Sequence, residues 1–259
     1  MSGPASNGVQ RGPPLQPAAI RLDHVFKSFD RNEVLKDVSI EIPHGHAFGL
    51  LGRSGTGKSV TLSLMIGLIP VDRGAVLIEG KDLQKLSRED LLDARKRIGF
   101  LFQQAALFDS LSVRENVEFP LRRHTKKRGS EIRDIVHRSL ESVGLEHDAD
   151  KMPAALSGGM HKHAGLARAL ALDPPIVLAD EPSSGLDAIT ASEIYDLLHK
   201  LRERGKTLVV VTHDGSGVRS IVDEMAVLDQ GRIVACGTAG ELAASDNKLV
   251  HELIRGEER

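Results

Sequence analysis

Ala47-Phe48-Gly49-Leu50-Leu51-Gly52-Arg53-Ser54-Gly55-Thr56-Gly57-Lys58-Ser59 decides the fold of this 259-residue chain. Residues 47–51 read as a buried strand that runs directly into a G-x-x-x-x-G-K-S octet. Residues 59–68 then carry Leu62, Met65 and Ile66 at helical spacing. Strand, glycine loop and helix are the context that a phosphate-binding loop requires. Glycines at 52, 55 and 57 let backbone N–H groups converge on phosphate oxygens without a Cβ in the way. The helix aims its N-terminus at the same anion. Lys58 supplies a compact positive charge for the β- and γ-phosphates, and the Ser59 hydroxyl is placed to ligate Mg²⁺. Arg53, Ser54, Thr56 and Val60 complete the nucleotide-binding stretch. An octet of this pattern arises by accident in about 1% of chains this long, so by itself it is also compatible with an ordinary glycine-rich turn.

Two further segments weigh against accident. Leu156-Ser157-Gly158-Gly159-Met160 is about as rare by chance, and Ile176-Val177-Leu178-Ala179-Asp180-Glu181 is an apolar run ending in two carboxylates. Asp180 can hold Mg²⁺ directly or through water. Glu181 is a candidate general base for a water attacking the γ-phosphate. The helical pattern at 188–204 lies between apolar runs at 176–179 and 207–212, which predicts a βαβ unit with parallel pairing. Short strands are expected at 20–25, 38–42, 98–102, 225–228 and 232–235, and a hairpin arm at 74–80. Helical periodicity dominates 113–171. There is no tandem repeat, so each chain carries one half-set of nucleotide motifs. The expected architecture is an α/β phosphate-loop NTPase of the RecA-like kind, with an antiparallel β arm and a helical subdomain inserted at about 104–170. It spans residues 19–255, after an N-terminal tail (1–18) whose Gly, Pro, Ser and Ala content predicts disorder.

In this order the motifs resemble those of ABC-type ATPase domains across almost the whole chain. The resemblance implies ATP and Mg²⁺ as cofactors and a site shared by two copies of the chain. Ser157, Gly158, Gly159 and Met160 match the signature loop, which in the family contacts ATP held by the other subunit. Met160 stands where Gln is commoner. Gln103 resembles the glutamine that senses Mg²⁺ and γ-phosphate and links core to helical insert; Gln104 beside it is a rival. His213, after the strand at 207–212, resembles the histidine that hydrogen-bonds γ-phosphate and orients Glu181, which imidazole can do while neutral. Asp187 in Ser184-Gly185-Leu186-Asp187 resembles the D-loop aspartate at the dimer seam. Phe29 matches the aromatic that stacks on adenine, though a strand-end core Phe fits the pattern equally well.

Composition narrows the partners. A net charge of −2 gives no basic field for nucleic acid, and with seven Phe, one Tyr and no Trp there is no stacking platform for single strands. The single cysteine, Cys236, excludes an internal disulfide and a cysteine-rich metal site. No apolar run approaches the ~18–20 residues that span a bilayer, so a membrane role is expected through partners only. Pro120-Leu121-Arg122-Arg123-His124-Thr125, the Met160 variant and Ala171-Leu172-Asp173-Pro174 resemble the MlaF type, the ATPases of bacterial Mla/Mce phospholipid transport systems. That resemblance implies an MlaE-like permease, an MlaD-like Mce ring protein and a small MlaB-like regulator as partners. It places the chain at the cytoplasmic face of the bacterial inner membrane, powering phospholipid transport between inner and outer membranes. Three other readings stay open: the ATPase of a polar-solute importer, a soluble ABC ATPase acting on ribosomes or DNA, and a regulator without turnover. The near-neutral charge counts against the second of these, and Glu181 with His213 against the third.

Overall fold

The computed structural model describes residues 17–255. In chain order the elements are β1 (Ile20–Phe29), β2 (Asn32–Ile42), β3 (Ala47–Leu51), α1 (Lys58–Met65), β4 (Arg73–Ile78), β5 (Lys81–Asp82), α2 (Arg88–Lys96), β6 (Ile98–Leu101), α3 (Val113–His124), α4 (Gly129–Glu141), α5 (Gly158–Leu170), β7 (Ile176–Asp180), α6 (Ala188–Glu203), β8 (Thr207–Thr212), α7 (Gly215–Val218), β9 (Glu224–Asp229), β10 (Arg232–Gly237), α8 (Ala239–Ala243) and α9 (Lys248–Arg255). Residues 1–16 of the tail expected to be disordered lie outside the described residues. Pro17, counted with that tail, lies against Gly80.

The strands form two sheets, an antiparallel arm ordered β2-β1-β4-β5 and a six-stranded core ordered β10-β9-β3-β8-β7-β6. In the core, β6, β7, β8, β3 and β9 run parallel, and β10 returns antiparallel along β9. The three central strands β3, β7 and β8 are buried at every position, as expected where both faces of a parallel sheet are covered. One face packs with α1 and the arm around Leu50, Leu62, Met65 and Leu178. The other packs around Leu166, Ile194, Leu198 and Val210. The expected parallel β7–α6–β8 unit is present, with Asp180 opposite Val211.

The helix after the glycine loop was expected to run to 68 and instead stops at Met65. Gly67 adopts φ +63, Leu68 N–H reaches back to Ser63 O and Gly67 N–H to Leu64 O. This is a Schellman closure, which a left-handed glycine permits and an apolar periodicity does not reveal.

The helical insert has its own core: Val113, Val117 and Leu121 from α3 meet Ile132, Val136 and Leu140 from α4 and Ala164 and Ala167 from α5. Helix α5 belongs to both bodies, because Leu166 on its opposite side packs into the sheet core. Asn116 ties the incoming loop to α3. Its side chain is fully buried; Nδ2 donates to Phe108 O, Leu111 O and Ser112 O at 3.0–3.1 Å, and Oδ1 accepts from Phe108 N at 2.8 Å. Replacing it with alanine strands buried backbone groups, each costing about 1–3 kcal/mol. Asn116→Ala is therefore expected to lower unfolding free energy by about 2–3 kcal/mol in a denaturant titration.

Candidate active site

The parallel register brings the C-terminal ends of β3, β6, β7 and β8 to one edge, with Leu51 opposite Thr212, Asp180 opposite Val211 and Leu101 opposite Ala179. Each strand hands the chain to a candidate residue within two positions. From β3 the chain enters the glycine loop, where Gly55 and Gly57 take φ +79 and +107. A Cβ on Gly52 would sit 2.5 Å from Leu228 O, so glycine is required there for close packing. Lys58 is buried; its Nζ donates to Gly52 O (2.8 Å) and Arg53 O (3.1 Å), and lies 3.4 Å from Glu181 Oε1. The ammonium is thus held inside the loop rather than in solvent.

Ser59 Oγ donates to Asp180 Oδ1 at 3.2 Å, joining residues 121 positions apart. Burial pushes the Asp180 carboxyl above its usual range and the neighbouring Glu181 charge adds to this, while Ser59, Lys58 and Lys162 oppose. Glu181 has φ +45, a left-handed conformation that costs a non-glycine residue about 1–3 kcal/mol. Its N–H donates to Val211 O (2.8 Å). Its Oε2 lies 2.8 Å from His213 Nδ1 and accepts the His213 backbone N–H at 3.3 Å. Glu181 is almost wholly buried, whereas the His213 ring is one-third exposed (34%) and open towards solvent. If Nδ1 donates to Glu181, Nε2 can donate to a phosphate only when both ring nitrogens are protonated.

The remaining sequence candidates are placed differently. Gln103 sits on the exposed turn after β6; its side chain makes no hydrogen bond among the described residues, and its main-chain oxygen accepts from Lys162 Nζ. Phe29 is 44% exposed at the end of β1, not a core residue. It pairs with Asn32, and Val34 beyond that turn lies against Gly57 of the glycine loop. The Arg53 side chain turns away to Glu252 on α9 (2.7 Å), leaving its backbone to face the loop's interior. Val60 packs its side chain on the arm-side core. Ser157 caps α5, accepting from Met160 N–H. Ser157 and Gly158 are exposed and Gly159 is half-buried, packed on Thr190, while Met160 packs its side chain into the helical core. Asp187 caps α6 through Ile189 N–H, Thr190 N–H and Thr190 Oγ, so it fixes the turn beside the Ser157 loop.

One residue escaped the sequence reading. Lys162 on α5 is buried, and its Nζ donates to Gln103 O and, at 2.9 Å, to Glu181 O. Burial lowers its proton affinity and the carboxylates of Asp180 and Glu181 restore part of it. The available signal was a lone cation on the inward face of α5, among buried residues 162 and 164–167.

Residues 35–184 match the family model described as ABC transporter. A probable ribonucleotide transport ATP-binding protein of Mycobacterium leprae is 44% identical over 92% of this chain and 69% of its own length. The intermembrane phospholipid transport system ATP-binding protein MlaF of Haemophilus influenzae is 39% identical over 90% of this chain and 88% of its own. A dimeric ATP-binding cassette solved in a post-hydrolysis state with ADP and Pi superposes with TM-score 0.80 at 36% identity, covering 85% of this chain and 98% of that one. The strand-end cluster of Lys58, Asp180, Glu181 and His213, with this likeness over nearly the whole chain, shows that the protein belongs to the ABC transporter family as an ATP-binding, ATP-hydrolysing subunit.

Proposed function

We propose that two copies of this chain hydrolyse ATP at their shared seam and drive phospholipid movement through a membrane permease. The observation that carries the hydrolytic reading is the buried Glu181 carboxylate, held between His213 (2.8 Å) and Lys58 (3.4 Å) at the mouth of the glycine loop. A carboxylate so placed can accept a proton from water in line with a γ-phosphate bound on the loop. Lys58 would leave the loop carbonyls for the phosphates, which offer it charge. Ser59 Oγ and Asp180 Oδ1 form a small oxygen-only pair that suits Mg²⁺, which keeps several waters and takes one or two protein ligands. When bound, Mg²⁺ would neutralise charge on the β- and γ-phosphates. Phe29 offers an exposed aromatic face for adenine.

Ser157 and Gly158 lie exposed at the N-terminus of α5, hydrogen-bonded within their own helix. Helix N-termini attract phosphate, so this one is suited to ATP on a second copy. That fits the dimeric cassette to which the chain is similar.

A groove of about 430 Å³ between α2, β6 and α3 supports a permease partner. Phe102, Phe108 and Phe119 line it at 37–45% exposure, and Arg95, Lys96, His124 and Arg168 rim it. An exposed apolar cluster with a charged rim suits a helix carrying apolar and acidic side chains. No helix among the described residues is long and apolar enough to cross a membrane, so the lipid path would belong to that partner. The likeness to MlaF favours an MlaE-like permease with an MlaD-like Mce protein and an MlaB-like regulator, at the cytoplasmic face of a bacterial inner membrane. The name of the mycobacterial relative favours a nucleotide-type solute instead. Mass spectrometry of the complex purified through this chain separates the two: co-eluting phospholipid and an Mce protein support the lipid reading, and a soluble solute-binding protein without lipid overturns it.

Glu181→Gln is expected to reduce ATP turnover at least a hundredfold while an ATP-bound dimer accumulates on size-exclusion chromatography. Turnover near the wild-type rate would exclude Glu181 as the base. Phe119→Glu is expected to abolish co-elution with the permease and to leave ATP-dependent dimerisation of the isolated chain intact.

A further inference from the structure

Helix α5 carries the loop that faces a second copy at one end and, one and a half turns on, Lys162 at the chain's own hydrolytic site. From there one ammonium reaches two main-chain oxygens, those of Gln103 and Glu181. These residues follow the paired strands β6 and β7, whose own ladder ends at Leu101 and Ala179. Glu181 needs such a hold, because its left-handed backbone is anchored by its N–H on Val211 and by its carbonyl on Lys162. The same helix grips the next stretch of the Gln103 loop. Arg168 donates to Ala105 O and Ala106 O at 2.7 Å, and both alanines are left-handed, with φ +58 and +50. Gly165 lies between the two cations, where a Cβ would come within 2.8 Å of Ala105 Cβ.

We propose that Lys162 is a positioning residue that fixes the backbones of Glu181 and Gln103 to the signature helix, so that contact of Ser157–Gly159 with nucleotide on a second copy sets the carboxylate of the chain's own site. The inference rests on the shared-seam reading above and adds to it a connection within each chain between the two ATP sites. The mechanics are short-range. A helix is stiff over five residues, so a shift or rotation of its N-terminus moves the Lys162 stem with it. A buried cation cannot be left without acceptors, so the two carbonyls must follow or the ammonium must find others. Side-chain geometry at the Glu181 carboxylate is then tied to the position of α5, and a water that must lie in line with phosphate is sensitive to displacements of about 1 Å.

The test compares Lys162→Met, which keeps the stem and removes the donors, with Lys162→Arg, which keeps the charge, in the full chain with its co-purifying membrane partner. For Lys162→Met the expected result is a fall in kcat of about ten- to a hundredfold with KM for ATP within about threefold, since only the step after binding is affected. ATP-dependent dimers should still form and should persist longer than in wild type. Lys162→Arg should restore most of kcat. Lys162→Gln, which keeps one amide donor, serves if the methionine variant does not fold, with kcat expected between the two. The proposal is overturned if kcat stays within twofold of wild type. It is also overturned if kcat, ATP affinity and Tm fall together without rescue by arginine, which marks a purely structural lysine. Glu181→Gln measured alongside separates the failures: an active Glu181→Gln defeats the site assignment itself, whereas an inactive Glu181→Gln beside an active Lys162→Met defeats only the role of the lysine.

Discussion

Parallel pairing of β3, β8 and β7 places four buried charges at one sheet edge, and the rest of the site follows from keeping them neutralised. Asp180 and Glu181 arrive from β7, Lys58 from the loop after β3, and Lys162 from α5. None of these groups is stable alone in an apolar interior. Two carboxylates against two ammoniums satisfy the requirement, and the hydroxyl of Ser59, the ring of His213 and four main-chain carbonyls take the remaining hydrogen bonds. Parallel strands need long crossovers. That is why partners as distant as Ser59 and Asp180, or Gln103 and Lys162, meet here and nowhere along the sequence.

Backbone strain is present where two of those crossovers begin, as it is in turns elsewhere among the described residues. Glu181, Ala105 and Ala106 all hold left-handed backbones without being glycine. Each is met by a donor from α5 or α5's own cations, so the helix that presents the signature loop also holds the turns after β6 and β7. Such conformations persist only when surroundings over-determine them. Here the over-determination comes from a helix that packs at once on the sheet core through Leu166 and on the helical insert through Ala164 and Ala167. The expected insert boundary near residue 170 therefore falls on an element shared by both bodies.

Much of the site was legible in the chain because its residues directly follow buried strands. Apolar runs at 47–51, 176–179 and 207–212 each lead directly into a candidate residue (Gly52, Asp180 and His213), so strand recognition and motif recognition reinforced one another. Helix ends were less legible. The stop at Met65 depends on the left-handed Gly67 closing a Schellman turn, and helical periodicity carries no trace of it. Gln103 was singled out by family resemblance alone, and in this structure it is its backbone that meets Lys162. The Arg53–Glu252 pair, separated by 199 residues, had no local signature at all.

The amino-acid sequence by itself determined which groups are candidates for the chemistry: glycines where a Cβ would clash, a lysine and serine at the head of α1, and two carboxylates at the end of β7. Local steric and chemical demands are written residue by residue, and spacing preserves them. Tertiary structure alone decided which of those groups share a site and which face away. Ser157 and Gly158 lie at the exposed start of α5, while Lys162 on the same helix is buried between Gln103 and Glu181. The reason is that α5 has two neighbours on different sides, and the direction of each side chain on it is set by packing contacts from distant parts of the chain rather than by its own sequence.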